Sequence, residues 1–228
     1  MTLDLSDVPE ELRAAVEAAL TASRGQNLFG LHTQPLVAAI ESMPTVAAAR
    51  VDVHLPGTLA VTITERTPVL VWQIGRRRYL ADAGGSLFAE LADPPAAGAA
   101  ALPVVDDRRA ASGLLGLGGT LDPVDLDAAT RLASLKPADV GSGAVSLMVA
   151  VSDENGFVIG TRPNAWSAVF GFYTPSLRKT DLIPGQTQVL KNLLLGREPT
   201  VAVVILGDDR DGTYIPKATP SPSASPKP

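Results

Sequence analysis

The spacing of apolar residues changes at Val46, and this change divides the first third of the chain into a helical part and a strand part. Before it, Leu12 and Val16 recur at the interval typical of one face of an α-helix. After it, Val51 and Val53 alternate with polar residues, as in a strand with one buried face. The N-terminal region therefore predicts an α+β fold, with helices packed against a small sheet.

Two helices are predicted ahead of the first strand. Asp7 and Glu10 are spaced as in a capping box, which predicts a helix that starts at Val8. A second helix is expected to begin at Thr33 and to end before Pro44. Both helices would turn an apolar stripe toward the strands that follow.

Later segments continue the α+β pattern. A hairpin closes at residues 56–57, and turn residues at 82–85 follow the next pair of strands. Residues 92–101 are rich in Ala, Pro and Gly and indicate a linker or a surface loop. Further strands are predicted at 145–151, 156–161, 166–173, 201–206 and 213–215, and further helices at 126–135 and 187–195. From Pro216 the sequence has too few apolar residues to fold, so residues 216–228 are predicted to be disordered.

Composition excludes several function classes. The chain has no cysteine, which removes disulfides, thiolate catalysis and zinc sites that need sulfur. A net charge of −5 gives no basic field for nucleic acid. No apolar stretch approaches the roughly 20 residues of a membrane-spanning helix.

Few residues could carry chemistry. The two histidines, His32 and His54, are interpreted as solvated, and no spacing pairs them as metal ligands. The glycines between residues 113 and 119 lack the lysine of a phosphate-binding loop. We therefore predict no catalytic residue, no cofactor and no metal site. Glu65 and Arg66 are interpreted as a surface ion pair.

Five short patterns in the first third of the chain occur in order and are more specific than the composition. They comprise residues 25–29, 43–46 with 49–51, 55–61, 65–69, and 82 with 85. A looser second set comprises residues 102–105, 156–159, 168–171, 186–194 and 201–206. The first set resembles the POTRA domain of the FtsQ/DivIB cell-division family, and the second resembles the β domain of the same family.

The resemblance implies a domain organisation. Residues 1–91 would form the POTRA domain, with two helices against a small sheet, and residues 92–215 a mainly antiparallel β domain with flanking helices. Members of the family resemble single-pass membrane proteins, with one spanning helix ahead of the POTRA domain. The sequence shows no such helix. An extracytoplasmic fragment or a misplaced start is favoured over a protein without an anchor.

The resemblance also implies a function. It is that of a non-enzymatic scaffold of the divisome, on the outer face of the cell membrane, during septum formation. The implied partners are FtsB/FtsL (DivIC-like) proteins and the septal peptidoglycan synthesis machinery. No nucleic acid or small-molecule substrate is expected, and the membrane would be reached only through an anchor that this sequence lacks.

One segment is the candidate partner site. An edge strand can bind a partner strand through main-chain hydrogen bonds. The run at 201–206 is predicted to be that edge, with the 213–215 segment nearby, although such an apolar run is equally typical of a buried strand. The candidate partner-binding residues are Val201, Ala202, Val203, Val204, Ile205, Leu206 and Tyr214.

Two other functions remain open. A POTRA-bearing docking or chaperone module in envelope protein transport would share the N-terminal patterns. A hydrolase using acids such as Asp153 and Glu154 is the third class. The second block of patterns favours the division scaffold, because it does not repeat the POTRA pattern.

Overall fold

A computed structural model describes residues 2–21, 27, 30–92, 98, 101–163 and 165–218. Two sheets and four α-helices form the described part of the chain. Most of the predicted linker, the pattern at 25–29 apart from Asn27, and residues 219–228 lie outside the described residues. The predicted α+β class is confirmed.

The first sheet has three strands in the order β1-β3-β2. Strands β2 and β3 form the predicted hairpin, and β1 pairs with β3 in parallel. Two helices cover one face, where Val16, Leu20 and Ile40 are fully buried. The elements are β1 (Thr2–Asp4), α1 (Glu10–Leu20), α2 (Gln34–Glu41), β2 (Val46–His54) and β3 (Thr58–Glu65).

Helix α1 starts two residues later than predicted. It begins at Glu10, its N-cap is Pro9, and no side chain caps it by a hydrogen bond, so the capping-box prediction is wrong. A residue that precedes proline is disfavoured in the helical conformation, which prevents a start at Val8. Val8 is instead buried in the small core.

The second sheet has nine strands in the order β12-β11-β10-β9-β8-β7-β4-β5-β6. Five of its eight strand pairs are antiparallel, which confirms the mainly antiparallel prediction. Helices α3 and α4 pack on one face over a separate apolar core. The elements are β4 (Pro68–Ile74), β5 (Arg77–Asp82), β6 (Leu87–Glu90), β7 (Val104–Asp107), α3 (Pro123–Ala133), β8 (Ser146–Ser152), β9 (Gly156–Arg162), β10 (Ser167–Gly171), α4 (Ile183–Leu194), β11 (Val201–Leu206) and β12 (Gly212–Pro216).

The sheets divide the chain earlier than the sequence analysis expects. The first sheet ends at Glu65 and the second begins at Pro68, whereas the predicted POTRA domain extends to residue 91. Strands β4, β5 and β6 therefore belong to the nine-stranded sheet, because β4 also pairs in parallel with β7. Such a long-range pairing leaves no trace in the local periodicity from which the strands are predicted.

Helices α3 and α4 each begin earlier than predicted. Asp122 caps α3, and its side chain accepts hydrogen bonds from the amides of Val124 and Asp125. Helix α4 has Pro184 in its first turn, where a missing N–H is tolerated. Among the described residues, none of the helices is both long and apolar enough to cross a membrane.

Candidate partner-binding edge

The outer strand at one side of the large sheet is β12, not β11. Strand β11 lies between β10, with which it is parallel, and β12, with which it is antiparallel. Val201, Val204 and Leu206 are buried in the core. The interpretation of 201–206 as an edge is therefore wrong, and the alternative of a buried strand holds. The short return strand β12 pairs with the outer side of β11.

The seven predicted residues are nevertheless close together. The Cα partner of Tyr214 in β12 is Val204 in β11, and Val203 is opposite Ile215. Ile205 and Tyr214 are exposed, whereas Ala202 and Val203 are half-buried. The candidate residues did not include Gly212 or Ile215, although Ile215 lies in the return strand predicted at 213–215.

The backbone of β12 offers a row of hydrogen-bonding groups that have no partner among the described residues. The Gly207 amide donates to the carbonyl of Asp211 at 2.8 Å, which makes this pair a hydrogen-bonded one. Such pairs alternate along an antiparallel ladder, so Thr213 and Ile215 bond to β11. The N–H and C=O groups of Gly212 and Tyr214 therefore point away from the sheet.

The two faces of β12 differ chemically. Thr213 lies beside Ile205, and Ile215 beside Val203, on the face opposite the described helices α3 and α4. Ile215 is 50% exposed and Ile205 is 41% exposed, so this face is apolar and open to solvent. A partner strand could bury these side chains as well as pair with the backbone.

The other face of β12 carries an aromatic ring and a cation. The guanidinium carbon of Arg197 lies 5.9 Å from the centre of the Tyr214 ring, within the range of a cation–π contact. At Gly212 the strand runs close to α4, where a Cβ would come within 3.0 Å of Val189 and 3.1 Å of Leu193. A side chain there would have to displace these two methyl groups by a few tenths of an ångström, so glycine allows the close approach. Helix α4 thus packs directly against β12 on this face.

One end of this edge is held by Arg178. Its NH2 group donates to the carbonyls of Phe170 at 2.7 Å and Leu206 at 3.0 Å, and its NH1 group donates to the carbonyl of Gly207. These carbonyls lie at the C-terminal ends of the parallel strands β10 and β11. A single arginine therefore fixes the point from which the turn to β12 begins.

The other end is held by Glu198. Its carboxylate accepts hydrogen bonds from the Trp166 ring nitrogen at 2.8 Å, from the Gly143 amide at 3.0 Å and from the Ser142 hydroxyl. Burial alone would raise the pKa of Glu198, but these hydrogen bonds outweigh it and lower the pKa. Lys217 adds a hydrogen bond from its ammonium group to the carbonyl of Pro199 at 2.9 Å.

The prediction that disorder begins at residue 216 is wrong for Pro216 and Lys217. Pro216 is the last residue of β12, and the Lys217 amide donates to the carbonyl of Thr200 at 2.8 Å. Proline is tolerated there because an edge strand does not need every N–H group.

Replacing Glu198 by alanine is expected to lower the free energy of unfolding by about 1–3 kcal/mol, because the buried Trp166 N–H would lose its acceptor. Urea unfolding measures this loss. The matched control is Glu154→Ala, an exposed acid in the turn between β8 and β9, for which we expect about 0.5 kcal/mol or less. Equal losses in the two variants would contradict the role of Glu198.

A broad groove lies along strands β7, β8 and β9. Its volume is about 930 Å³, and aliphatic residues such as Val104, Met148 and Ala150 line much of it. Its acid, Asp106, forms an ion pair with Arg108 at 2.8 Å. In the part of the chain that the structure describes, no three acidic or histidine side chains come together to hold a metal ion.

Comparison with known proteins matches the POTRA domain of FtsQ type to residues 11–66, from α1 to the residue after β3. The cell division protein FtsQ of Mycobacteroides abscessus is 39% identical over 90 residues, which cover 40% of this chain and 28% of that protein. FtsQ of Chloroflexus aurantiacus is 25% identical over 207 residues, or 91% of this chain and 64% of that protein.

A third relative is FtsQ of Mycobacterium leprae, 28% identical over 156 residues, which cover 68% of this chain and 42% of that protein. The chain thus spans 28% to 64% of the length of these relatives. The 207 matched residues of the Chloroflexus protein include most of both sheets. Residues 11–66 thus match a POTRA domain of FtsQ type, and the chain is similar to FtsQ cell division proteins over as much as 91% of its length.

Proposed function

We propose that this protein is a non-enzymatic scaffold of the bacterial divisome that binds a partner strand along β12. The observation that carries the proposal is the edge itself. Its outward backbone groups are unpaired with β11, and Tyr214 and Ile215 are 37% and 50% exposed. Main-chain groups of this kind give affinity in strand addition, and alternate side chains give specificity.

The family relationship supports the choice of partner. The relatives are cell division proteins. By resemblance, the partners are the FtsB/FtsL (DivIC-like) proteins, which link the scaffold to septal peptidoglycan synthesis. The domains would then lie on the outer side of the cytoplasmic membrane. An exposed apolar row at Ile205 and Ile215 fits a partner strand with apolar residues at alternate positions.

The alternative of a docking module in envelope protein transport gains less support. A POTRA domain alone would suit either function. The nine-stranded sheet is not a second copy of the three-stranded module, so the described part of the chain is not a POTRA array.

The test is hydrogen exchange with the extracellular segment of the FtsB-like protein from the same organism. We expect protection of the Gly212 and Tyr214 amides, because both would donate to the added strand. The amides of Thr213 and Ile215 already bond to β11 and should change less. Binding without any protection in β12 would overturn the proposal.

A proline variant sharpens this test. Tyr214→Pro removes an outward N–H but no hydrogen bond to β11, so the variant should fold and bind at least about tenfold more weakly. Tyr214→Ala is the matched control, because it removes the ring and keeps the N–H. Titration by calorimetry measures both. Unchanged affinity in a folded Tyr214→Pro variant would contradict strand addition at this edge.

A further inference from the structure

The two sheets are joined by a very short connection. Strand β3 ends at Glu65 and β4 begins at Pro68, so only Arg66 and Thr67 lie between the modules. Backbone rotation in such a connection would change the angle between the sheets. The side chain of Arg66 extends from this position and contacts both modules.

On the first module, Arg66 is held by the turn between α2 and β2. Its amide donates to the carbonyl of Thr45 at 2.9 Å, and its Nε donates to the carbonyl of Pro44 at 2.9 Å. Both acceptors are backbone groups next to the start of β2. The guanidinium is therefore fixed relative to the first sheet.

On the second module, the same guanidinium contacts Asp82 at the end of β5. The distance between Arg66 NH1 and Asp82 Oδ2 is 2.5 Å, and the side chains are only 23% and 12% exposed. Asp82 Oδ1 accepts hydrogen bonds from the amides of Gly84 and Ser86, both at 2.9 Å. The carboxylate thus cannot follow Arg66 without opening its own turn.

The turn that holds Asp82 is fixed within the large sheet's module. The carbonyl of Gly85 accepts a hydrogen bond from the Leu121 amide at 2.9 Å. Gly85 has a φ of +84°, and a Cβ there would come 3.3 Å from the Leu121 carbonyl oxygen. A continuous set of short contacts therefore runs from Pro44, through Arg66 and Asp82, to Leu121.

We propose that Arg66 is a clamp between the domains, which holds the POTRA module and the nine-stranded sheet at one fixed relative orientation. The planar guanidinium suits this role because its Nε and NH1 groups donate to two rigid acceptors in different modules. A lysine would offer a single charge on a flexible stem. The expected surface ion pair with Glu65 is replaced by this half-buried pair with Asp82.

The clamp has a consequence for any partner that touches both modules. With the angle fixed, the edge at β12 is presented in a constant direction relative to the POTRA domain. Without the clamp, the two modules would fold but sample several orientations. Binding of a strand to β12 alone needs no clamp, which separates this inference from the proposed function.

The absence of cysteine makes a distance measurement direct. Spin labels are attached at two exposed positions, Ala38→Cys on α2 and Asn155→Cys in the turn between β8 and β9. Pulsed electron paramagnetic resonance then measures the distance between the two modules. We expect one narrow distance distribution in the otherwise unchanged chain. Arg66→Gln should broaden it or add a second peak, and Arg66→Lys should do the same to a smaller extent.

Two further variants make the result decisive. Asp82→Asn keeps the oxygen that accepts from Gly84 and Ser86 but removes the charge facing Arg66, so it should also broaden the distribution. Arg50→Gln is the control, because Arg50 forms an exposed ion pair with Asp52 within β2. Its distribution should stay narrow.

The emission of Trp72 and Trp166 reports the fold of the large sheet, and circular dichroism reports the whole chain. A narrow, unshifted distribution in folded Arg66→Gln would overturn the clamp. So would a broad distribution in the unsubstituted chain. If Arg66→Gln does not fold, Asp82→Asn decides by the same two criteria.

Discussion

Replacing Asp107 by alanine is expected to lower the free energy of unfolding by about 3–5 kcal/mol, the range for removing one partner of a buried ion pair. Asp107 is 2% exposed at the end of β7. Its Oδ2 atom accepts hydrogen bonds from the Trp72 ring nitrogen at 3.1 Å and from the Ser112 hydroxyl at 2.6 Å. Arg109 completes the site with a two-pronged contact to both carboxylate oxygens.

The size of this effect follows from what the substitution leaves behind. Trp72 is fully buried, so its N–H group would lose its acceptor without gaining water. The Arg109 guanidinium, 22% exposed, would retain only Asp125, at 2.6 Å. The hydrogen bonds to Asp107 raise the pKa of Arg109. An arginine stays charged at neutral pH even without them, so the variant keeps a partly buried cation.

Asp106→Ala is the matched control. Asp106 is the preceding residue on the same strand, but its ion pair with Arg108 lies at the surface, where the arginine side chain is 66% exposed. Such pairs contribute about 0–1 kcal/mol. Urea unfolding followed by tryptophan emission measures both variants. Similar losses at the two positions would show that the buried network does not stabilise the sheet.

The pH dependence of unfolding provides a second test of the same hydrogen-bond network. Burial alone would raise the pKa of Asp107, but hydrogen bonds from Arg109 and Ser112 outweigh it and hold the pKa below the ordinary 3.8. A lowered folded-state pKa means that the stabilisation is complete above the unfolded-state value and is lost as pH falls through the folded-state value. The difference in the free energy of unfolding between the unsubstituted chain and Asp107→Ala should therefore be constant above about pH 5 and become smaller below about pH 4.

The POTRA module shows what a local pattern predicts well. The hairpin of β2 and β3 forms from adjacent segments, so alternation of apolar residues and a turn are sufficient to predict it. The capping box at Asp7 failed for an equally local reason, since the proline between its two residues moves the start of α1 to Glu10. Both outcomes depend on neighbours within a few residues.

The large sheet shows what a local pattern cannot predict. Strand β4 pairs in parallel with β7, some thirty residues later, and this pairing moves it out of the predicted POTRA domain. The strand at 201–206 was predicted correctly as a strand but wrongly as an edge, because its two neighbours are chosen by the tertiary fold. The alternation of apolar and polar residues indicates which face of a strand is buried. It does not indicate which other strands pair with it.

The charged contacts between distant segments were missed for the same reason. Arg66 follows Glu65 directly, and adjacency indicated a surface pair between the two. The observed partner, Asp82, is 16 residues away and is oriented by its own turn. Only the fold of both modules brings these side chains together. A single sequence therefore predicts the elements of the candidate edge more reliably than the contacts that hold it.

Gly156→Ala is expected to destabilise the large sheet by more than about 4 kcal/mol, because two effects add at this position. Gly156 has a φ of +62°, a conformation that costs other L-residues about 1–2 kcal/mol. In addition, a Cβ there would overlap the carbonyl group of Gly171 and come within 2.7 Å of the Phe172 nitrogen. These are backbone atoms of the adjacent strand and cannot move aside as a flexible side chain could.

Gly75→Ala separates the two effects. Gly75 has a nearly identical φ of +59° in the turn between β4 and β5, but nothing lies within 4 Å of a Cβ built there. We therefore expect a loss of only about 1–2 kcal/mol, from backbone strain alone. Urea unfolding of the two variants gives the difference. Equal losses would mean that strand β10 can shift to accommodate the methyl group.

The position of Gly156 also connects this prediction to the partner-binding edge. Gly171 is the site of an irregularity in the pairing of β9 with β10, and the chain continues from it into the segment that carries Arg178. Arg178 in turn holds the C-terminal ends of β10 and β11, next to the turn that leads to β12. Displacing Gly171 should therefore loosen β12 as well, and hydrogen exchange of the Thr213 and Ile215 amides should accelerate in Gly156→Ala but not in Gly75→Ala.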